Sequence, residues 1–363
     1  MYYVNMENDY HTNKLLKGRG AQFNPRNQFS QQERVALHIE GLDEPVERAR
    51  PTNFYFEYPR KIVNRTDSPD IPLDYSSNPY QGCEHGCVYC YARNTHPYWG
   101  FSAGTDFESE IMLKPDAPAL LEKELSKESW KVGPIMISGN TDCYQPAEKK
   151  YKLTRRMLEV LLKFGNPAGV ITKNQLILRD LDILKEMAAK NLVHVMISIT
   201  TLDEDLRRKL EPRTTTAANR LRTMEVLSNA GVPCGVMTAP IIPGLNSHEI
   251  PSIIEAASSA GALTAGMTIV RLNGAVAEVF SDWIKTAYPD RAEKVLNQIA
   301  ECHGGSLGDS RFKLRMTGQG KIAGMIRDLF RNSVQKFLGD KTMPPYDLNH
   351  FRIPESKTQL SLF

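Results

Sequence analysis

Long apolar runs are missing from this 363-residue sequence, and so is an apolar stretch near its start. A membrane-spanning helix takes about 20 consecutive apolar residues, and a secretory leader needs a shorter run behind the N-terminus. The expectation is a cytoplasmic protein with no membrane association. Cysteine is scarce, six in all. That excludes a disulfide scaffold and suits a reducing compartment. Charge of one sign is lacking too: 45 Lys and Arg stand against 42 Asp and Glu, a net charge of +3. This balance excludes a basic coat or an acidic tail, and by itself it does not imply nucleic acid. No internal repeat is visible. What is present, 41% hydrophobic and 24% charged residues, is ordinary for a folded chain with a sizeable core.

Three of the six cysteines stand together, in Cys83-Glu84-His85-Gly86-Cys87-Val88-Tyr89-Cys90, while Cys143, Cys234 and Cys302 are scattered. The spacing is C-x3-C-x2-C. Thiolates this close can all turn inward on one cluster, with Gly82 and Gly86 letting the backbone wrap it. Iron–sulfur cubanes are normally held by four cysteine thiolates. Three leave one iron open, and an open metal position marks a catalytic site, by the logic that separates catalytic from structural zinc. A zinc knuckle lacking a ligand and three unrelated core cysteines are the competing readings.

From about residue 74 the sequence alternates between strand and helix patterns. A strand leads into the cysteine loop, and apolar runs at 134–138, 169–172, 194–199, 232–237 and 265–270 predict five more. Helices are expected near 117–127, from a Thr154 cap to Gly165, around Leu181, Leu184 and Met187, and at 203–211 and 217–229. Six β/α repeats with continuously apolar strands argue for a parallel sheet covered by helices. Right-handed crossovers curl such a sheet into a barrel or most of one. Residues 1–70 read as an extension that wraps the core, with two short strands around Val35, Leu37, Ile39 and Phe54, Phe56, Tyr58. Residues 276–340 read as helices flanking the barrel. Residues 341–363, with Pro344, Pro345 and Pro354, read as an extended tail.

The cysteine run, with Tyr89 just before its last cysteine, resembles the signature of the radical S-adenosylmethionine enzymes. The order of segments over about residues 70–275, with the core from Cys83 to Arg93, resembles the branch of that family containing spore photoproduct lyase, and an uncharacterised bacterial group within it. The resemblance implies an α/β fold, an open partial (β/α)6 barrel of TIM type over 71–275. Its cluster loop would follow strand one at the C-terminal mouth. It also implies a [4Fe-4S] cluster on Cys83, Cys87 and Cys90, with S-adenosyl-L-methionine on the open iron and Tyr89 by the adenine. One electron, from a donor such as flavodoxin or ferredoxin, would cleave that cofactor to methionine and a 5′-deoxyadenosyl radical.

Further candidates follow from the same resemblance. Ser138-Gly139-Asn140 stands where many of these enzymes carry a Gly-Gly-Glu run that binds the cofactor's amino group. The glutamate is absent, so Asn140, Asp142 or Glu148 would substitute; the bland reading is a helix-capping Asp142 and a surface Glu148. Lys173 and Ser198 resemble cofactor-binding residues of the lyase, and a lysine at a barrel mouth suits a carboxylate. Arg213 is a second carboxylate candidate. The lyase returns a hydrogen atom from a cysteine near the end of strand two. Here the nearest is Cys143, a candidate catalytic residue if it is not simply packed in the core. The basic runs Lys149, Lys150, Lys152, Arg155, Arg156 and Arg207, Arg208, Lys209, Arg213 read as solvated faces or phosphate contacts. The final Gln359, Leu360, Ser361, Leu362 and Phe363 resemble the pentapeptide with which bacterial repair proteins dock on the DNA sliding clamp. The reading is a radical enzyme acting on DNA, with repair of a damaged base as its chemistry. Alternatives are the same chemistry on RNA, a protein side chain or a metabolite, and a clamp-associated iron–sulfur or redox-sensing protein without turnover.

Overall fold

The computed structural model describes residues 18–29, 51–70 and 73–354. The strand expected around Val35, Leu37 and Ile39 and the pentapeptide at Gln359 to Phe363 lie outside them. In chain order the strands are β1 (Asn53–Phe56), β2 (Val63–Arg65), β3 (Tyr75–Ser77), β4 (Tyr80–Gln81), β5 (Glu110–Leu113), β6 (Ile135–Ile137), β7 (Ala168–Thr172), β8 (Val193–Ser198), β9 (Cys234–Ile241) and β10 (Thr264–Ile269). Seven form one sheet in the order β10-β9-β8-β7-β6-β3-β2. From β3 to β10 every pairing is parallel, and the edge strand β2 runs antiparallel to β3. The expected six-strand parallel array is therefore present. β9 runs on to Ile241, beyond the expected end at 237.

Residue alternation explains how this sheet is covered. Val193, Val195 and Ile197 of β8 are buried in the main core with the helices. Burying each such side chain is worth about 1.5–3 kcal/mol. The alternate residues His194, Met196 and Ser198 lie on the opposite face, toward the barrel interior. Methionines fill part of that interior: Met136 packs on Gly169, Met196 on Gly235 and Met237 on Gly266. A Cβ on Gly235 would stand 2.6 Å from the Met196 sulfur, so the glycine is a matter of space.

The helix Leu153–Phe164 buries Met157, Leu158 and Leu161 and ends at Gly165 in the left-handed conformation. Thr154 does not cap it. Thr154 sits in the first turn, and its Oγ1 donates to the Cys143 carbonyl at 2.6 Å. The cap is the carboxylate of Glu148, which accepts from the Thr154 N–H at 2.9 Å and complements the positive end of the helix dipole. Glu148 is fully buried, not a surface residue.

A second, three-stranded sheet, β1-β5-β4, was legible only in β1. β4 pairs antiparallel with β5, Tyr80 opposite Leu113 and Gln81 opposite Met112. These two strands flank residues 82–109, so the sheet closes the base of the whole cysteine excursion. The expected flanking helices are Ala275–Ala287, Pro289–Cys302 and Gly320–Phe337.

Part of the tail is docked. The Tyr346 ring stacks on His194 at 3.9 Å, the Pro344 carbonyl bonds the same imidazole at 2.8 Å, and Arg352 N–H reaches the Phe164 carbonyl. Residues 344–352 thus form a strap across the N-terminal ends of the strands. Gly165 is its tightest point, where an added Cβ would lie 2.2 Å from the His350 carbonyl oxygen at φ 65°. Gly165→Ala should destabilise the protein by about 1–3 kcal/mol, combining a left-handed alanine with that clash. An unchanged denaturant midpoint would mean the strap is not seated there.

Candidate active site

At the C-terminal ends of the strands lies a cavity of about 270 Å³. Cys83, Cys87, Cys90 and Tyr89 border it from the cysteine loop, with Asn140 and Asp142 after β6, Lys173 after β7, Ser198 at the end of β8 and Arg271 after β10. The loop is irregular, so its backbone must be held by other groups. Arg93, fully buried, donates to the carbonyls of Cys87, Ala103 and Gly104 and pairs with the buried Glu108 carboxylate at 2.6 Å. Glu108 in turn accepts from the N–H groups of Gly20 and Ala21. Gln145 braces the other side, accepting from Glu84 N–H and donating to the Gly82 carbonyl. Gly86 has φ 69°, and a Cβ there would lie 2.9 Å from Glu108 Oε2, so the motif's second glycine is required by both conformation and space.

Tyr89 is anchored by a carboxylate. Its hydroxyl donates to Glu211, which also accepts from Thr200 at 2.6 Å and pairs with Arg220 at 2.6 Å. Burial alone would push the Glu211 carboxyl up. The charges of Arg220 and Lys173 and the hydrogen bonds from Thr200 and Tyr89 more than offset it and hold it at about 2. On the opposite wall, Asp142 accepts from Tyr144 N–H, Thr172 Oγ1 and Lys173 N–H and faces His85 Nδ1 at 3.4 Å. Burial opposes its ionisation, but His85 and these donors hold it down at about 2. All of its acceptor positions are engaged, so Asp142 fixes the end of β7 and the loop histidine. Asn140 is less committed: its Nδ2 makes only long contacts, 3.3 Å to Gln81 and 3.4 Å to Thr95.

Three candidates are not in the cavity. Cys143 is fully buried in the main core. Ser138, at φ 84°, turns the chain after β6, and the Cys143 N–H is fixed on Ser138 Oγ. Its thiol packs behind the sheet, so the hydrogen-donor reading is withdrawn. Arg213 lies behind the cysteine loop, 3.9 Å from Glu84, and does not line the cavity. Arg271, half-buried with its guanidinium 5.7 Å from the Tyr91 ring, occupies the place intended for it. Glu148 belongs to the helix cap and a pair with Arg179. Three further residues of the basic runs are paired: Arg155 with Asp180 and Asp182, Arg207 with Glu204, and Arg208 with Asp205.

The thiols suit a metal cluster. None is in a disulfide, and burial pushes all three up; Cys83 and Cys87 are raised further by neighbouring acidic and thiol groups, Cys90 partly offset by Arg93. Metal binding must therefore release protons. Thiols ranged around one cavity match a cubane, which takes one thiolate per iron.

The sequence model of the radical SAM superfamily matches residues 77–257, spanning the cysteine loop and the strands from β3 to β9. This chain belongs to the radical SAM superfamily. Membership implies a [4Fe-4S] cluster and S-adenosylmethionine. An uncharacterized protein of Mycobacterium tuberculosis is 34% identical to the radical SAM chain over 222 residues, 61% of this chain and 65% of that relative's length. An uncharacterized protein of Methanocaldococcus jannaschii is 27% identical over 241 residues, 66% of this chain and 86% of the relative. Spore photoproduct lyase, solved in complex with dinucleoside spore photoproduct, superposes with a TM-score of 0.60 at 16% identity, over 83% of this chain and 86% of that one. At that identity the likeness is one of fold, the partial barrel.

Glu211→Gln tests the anchor beneath Tyr89. Arg220 is only 1% exposed, and without its partner charge it becomes an uncompensated buried cation, a loss of about 3–5 kcal/mol. The pH dependence has a definite sign. A carboxylate held near 2 stabilises the fold fully above its ordinary value of 4.5 and loses that contribution as the pH falls toward 2. The Gln variant should therefore be less stable at neutral pH and lose less between pH 5 and 2, by denaturant titration; parallel curves would remove Glu211 from this role.

Proposed function

We propose that this chain is a radical SAM enzyme that carries one [4Fe-4S] cluster on Cys83, Cys87 and Cys90 and acts on DNA, with a damaged base as its target. The observation that carries the chemistry is one cavity bordered by three thiols, Cys83 and Cys87 buried and Cys90 partly exposed, and two cations, Lys173 and Arg271, on a chain whose family match spans that loop. The cluster and S-adenosylmethionine together supply one-electron, carbon-radical chemistry. The protein's own residues bind and orient. Tyr89 presents a rigid ring, held by Glu211, as a wall for the adenine. Lys173, its ammonium 5.9 Å from that ring, and Arg271 are placed for the methionine carboxylate. Asn140 and the Ser198 hydroxyl offer acceptors for the ammonium, in place of the missing glutamate. Ile171, Met237 and Val270 exclude water from the remaining wall. A flavodoxin or ferredoxin would deliver the electron.

The DNA assignment rests on the lyase-like fold, seen with a dinucleoside photoproduct in that neighbour, and on the pentapeptide, whose Leu360, Leu362 and Phe363 suit apolar pockets of a sliding clamp. Docking through so short a segment should be weak, on the order of micromolar, because ordering it offsets the contacts. A peptide of the last ten residues that shows no clamp binding at far higher concentration would remove this support.

Anaerobic reconstitution should yield about four irons per chain. Alanine at Cys83, Cys87 or Cys90 should abolish dithionite-dependent formation of 5′-deoxyadenosine, whereas Cys143→Ala should not. Tight zinc with no iron uptake would overturn the cluster. Lesion-bearing oligonucleotides should raise 5′-deoxyadenosine above background; if RNA, peptide or metabolite does so and DNA does not, the chemistry stands and the substrate is wrong.

A further inference from the structure

A second cavity, of about 340 Å³, adjoins the first. Asn140 borders both, and the partition between them is held by hydrogen bonds from Asn140 to Gln81 and Thr95 and from the Tyr91 hydroxyl to the Gly139 carbonyl at 2.7 Å. The second cavity has a different character from the first. Its lining residues include Asn64, Asn78, Gln81, Tyr98, Trp99 and Lys114.

Asn78 is engaged by Thr141 and Gln81 by Thr95 and Asn140, whereas the Asn64 amide makes no hydrogen bond among the described residues. Amide side chains offer donor and acceptor together, the pairing presented by the edge of a nucleobase. The Trp99 indole N–H makes no hydrogen bond among the described residues. Nor does the Lys114 ammonium make an ion pair there; burial lowers its proton affinity and the nearby Glu57 partly restores it. An ammonium that borders the cavity and makes no ion pair there is a site for an anion. At the cavity's rim, Tyr98 is 71% exposed and stacks on Phe29 at 4.7 Å, which continues the aromatic surface outward. Trp99 and Tyr98 end the 3-10 helical run Tyr91–Trp99 that starts at the last motif cysteine, so this surface is rigidly coupled to the cysteine loop. Aromatic faces beside cations are what single-stranded nucleic acid requires.

We propose that the second cavity binds the nucleotide next to the reacting one in a DNA strand, its base on Trp99 and the amides and its phosphate on Lys114. This rests on the DNA reading of the first cavity and gives that site its means of holding a strand in register. It names the substrate's requirement as well: at least two adjoining nucleotides, one per cavity, with the connecting backbone passing Asn140.

The test is fluorescence titration of the reconstituted full chain with a ten-nucleotide thymidine oligonucleotide. Binding should change tryptophan emission, and Trp99→Phe should abolish that change, because Trp283 is buried and Trp130 packs on Tyr75. Trp99→Leu should weaken affinity roughly tenfold, the scale of one lost stacking contact. Lys114→Gln, a second variant at an independent position, should weaken it and reduce the salt slope by roughly 0.7, one phosphate's share for a single strand. Iron content and cofactor cleavage without DNA should match wild type in all three variants. DNA binding with unchanged affinity and salt slope in these variants would overturn the second-cavity assignment while sparing the DNA reading. No binding of DNA by wild type, or tighter binding of the matching RNA, would overturn both.

Discussion

The Arg93–Glu108 pair is the interaction on which the site depends. The cysteine excursion has little regular structure to satisfy its own backbone, and this pair does so from inside. Arg93 gathers three carbonyls and Glu108 gathers two N–H groups of the N-terminal segment, with both side chains fully buried. A buried ion pair is seldom a net gain over apolar packing, but losing one member is severe. Here it also fixes geometry. Gly20 is packed so closely on the loop that an added Cβ would fall 1.7 Å from the Gly86 carbonyl oxygen. The N-terminal segment is therefore part of the wall behind the thiols.

The barrel was legible because its strands are short continuous apolar runs separated by amphipathic helices, a pattern that parallel sheets impose. The thiol set was legible from spacing alone. The rest required three dimensions. Arg213 and Arg271 both follow regular elements, and nothing in their local sequence tells which one emerges into the barrel; the turn at His85, whose carbonyl accepts from Arg213 N–H, puts the former outside. Cys143 was placed correctly along the chain but lies in the core, its N–H tied to Ser138 Oγ and its carbonyl to Thr154 Oγ1, contacts that local sequence does not reveal. Glu211 gave no periodic signal, because its partners Tyr89, Thr200 and Arg220 are scattered along the chain. The small sheet was missed because β4 has two residues and β5 resembles the start of a helix in composition.

The two ends of the barrel divide the work. At the mouth, polar and charged groups come from loops and are held by hydrogen bonds, which allows side chains to be exchanged without disturbing the sheet. Deeper in, methionines meet glycines on neighbouring strands, a dense packing with little tolerance for added volume. Variation in substrate would accordingly be expected at the mouth, and stability would be decided below it.

The strap has a consequence for how this molecule would be held by anything gripping its C-terminal residues. Residues 344–352 are fastened to the barrel floor, and four residues, five Cα–Cα steps, separate Pro354 from Gln359. Even fully drawn out, such a leash spans only about 17 Å. A carrier gripping its end would stand against the floor and leave the mouth facing away.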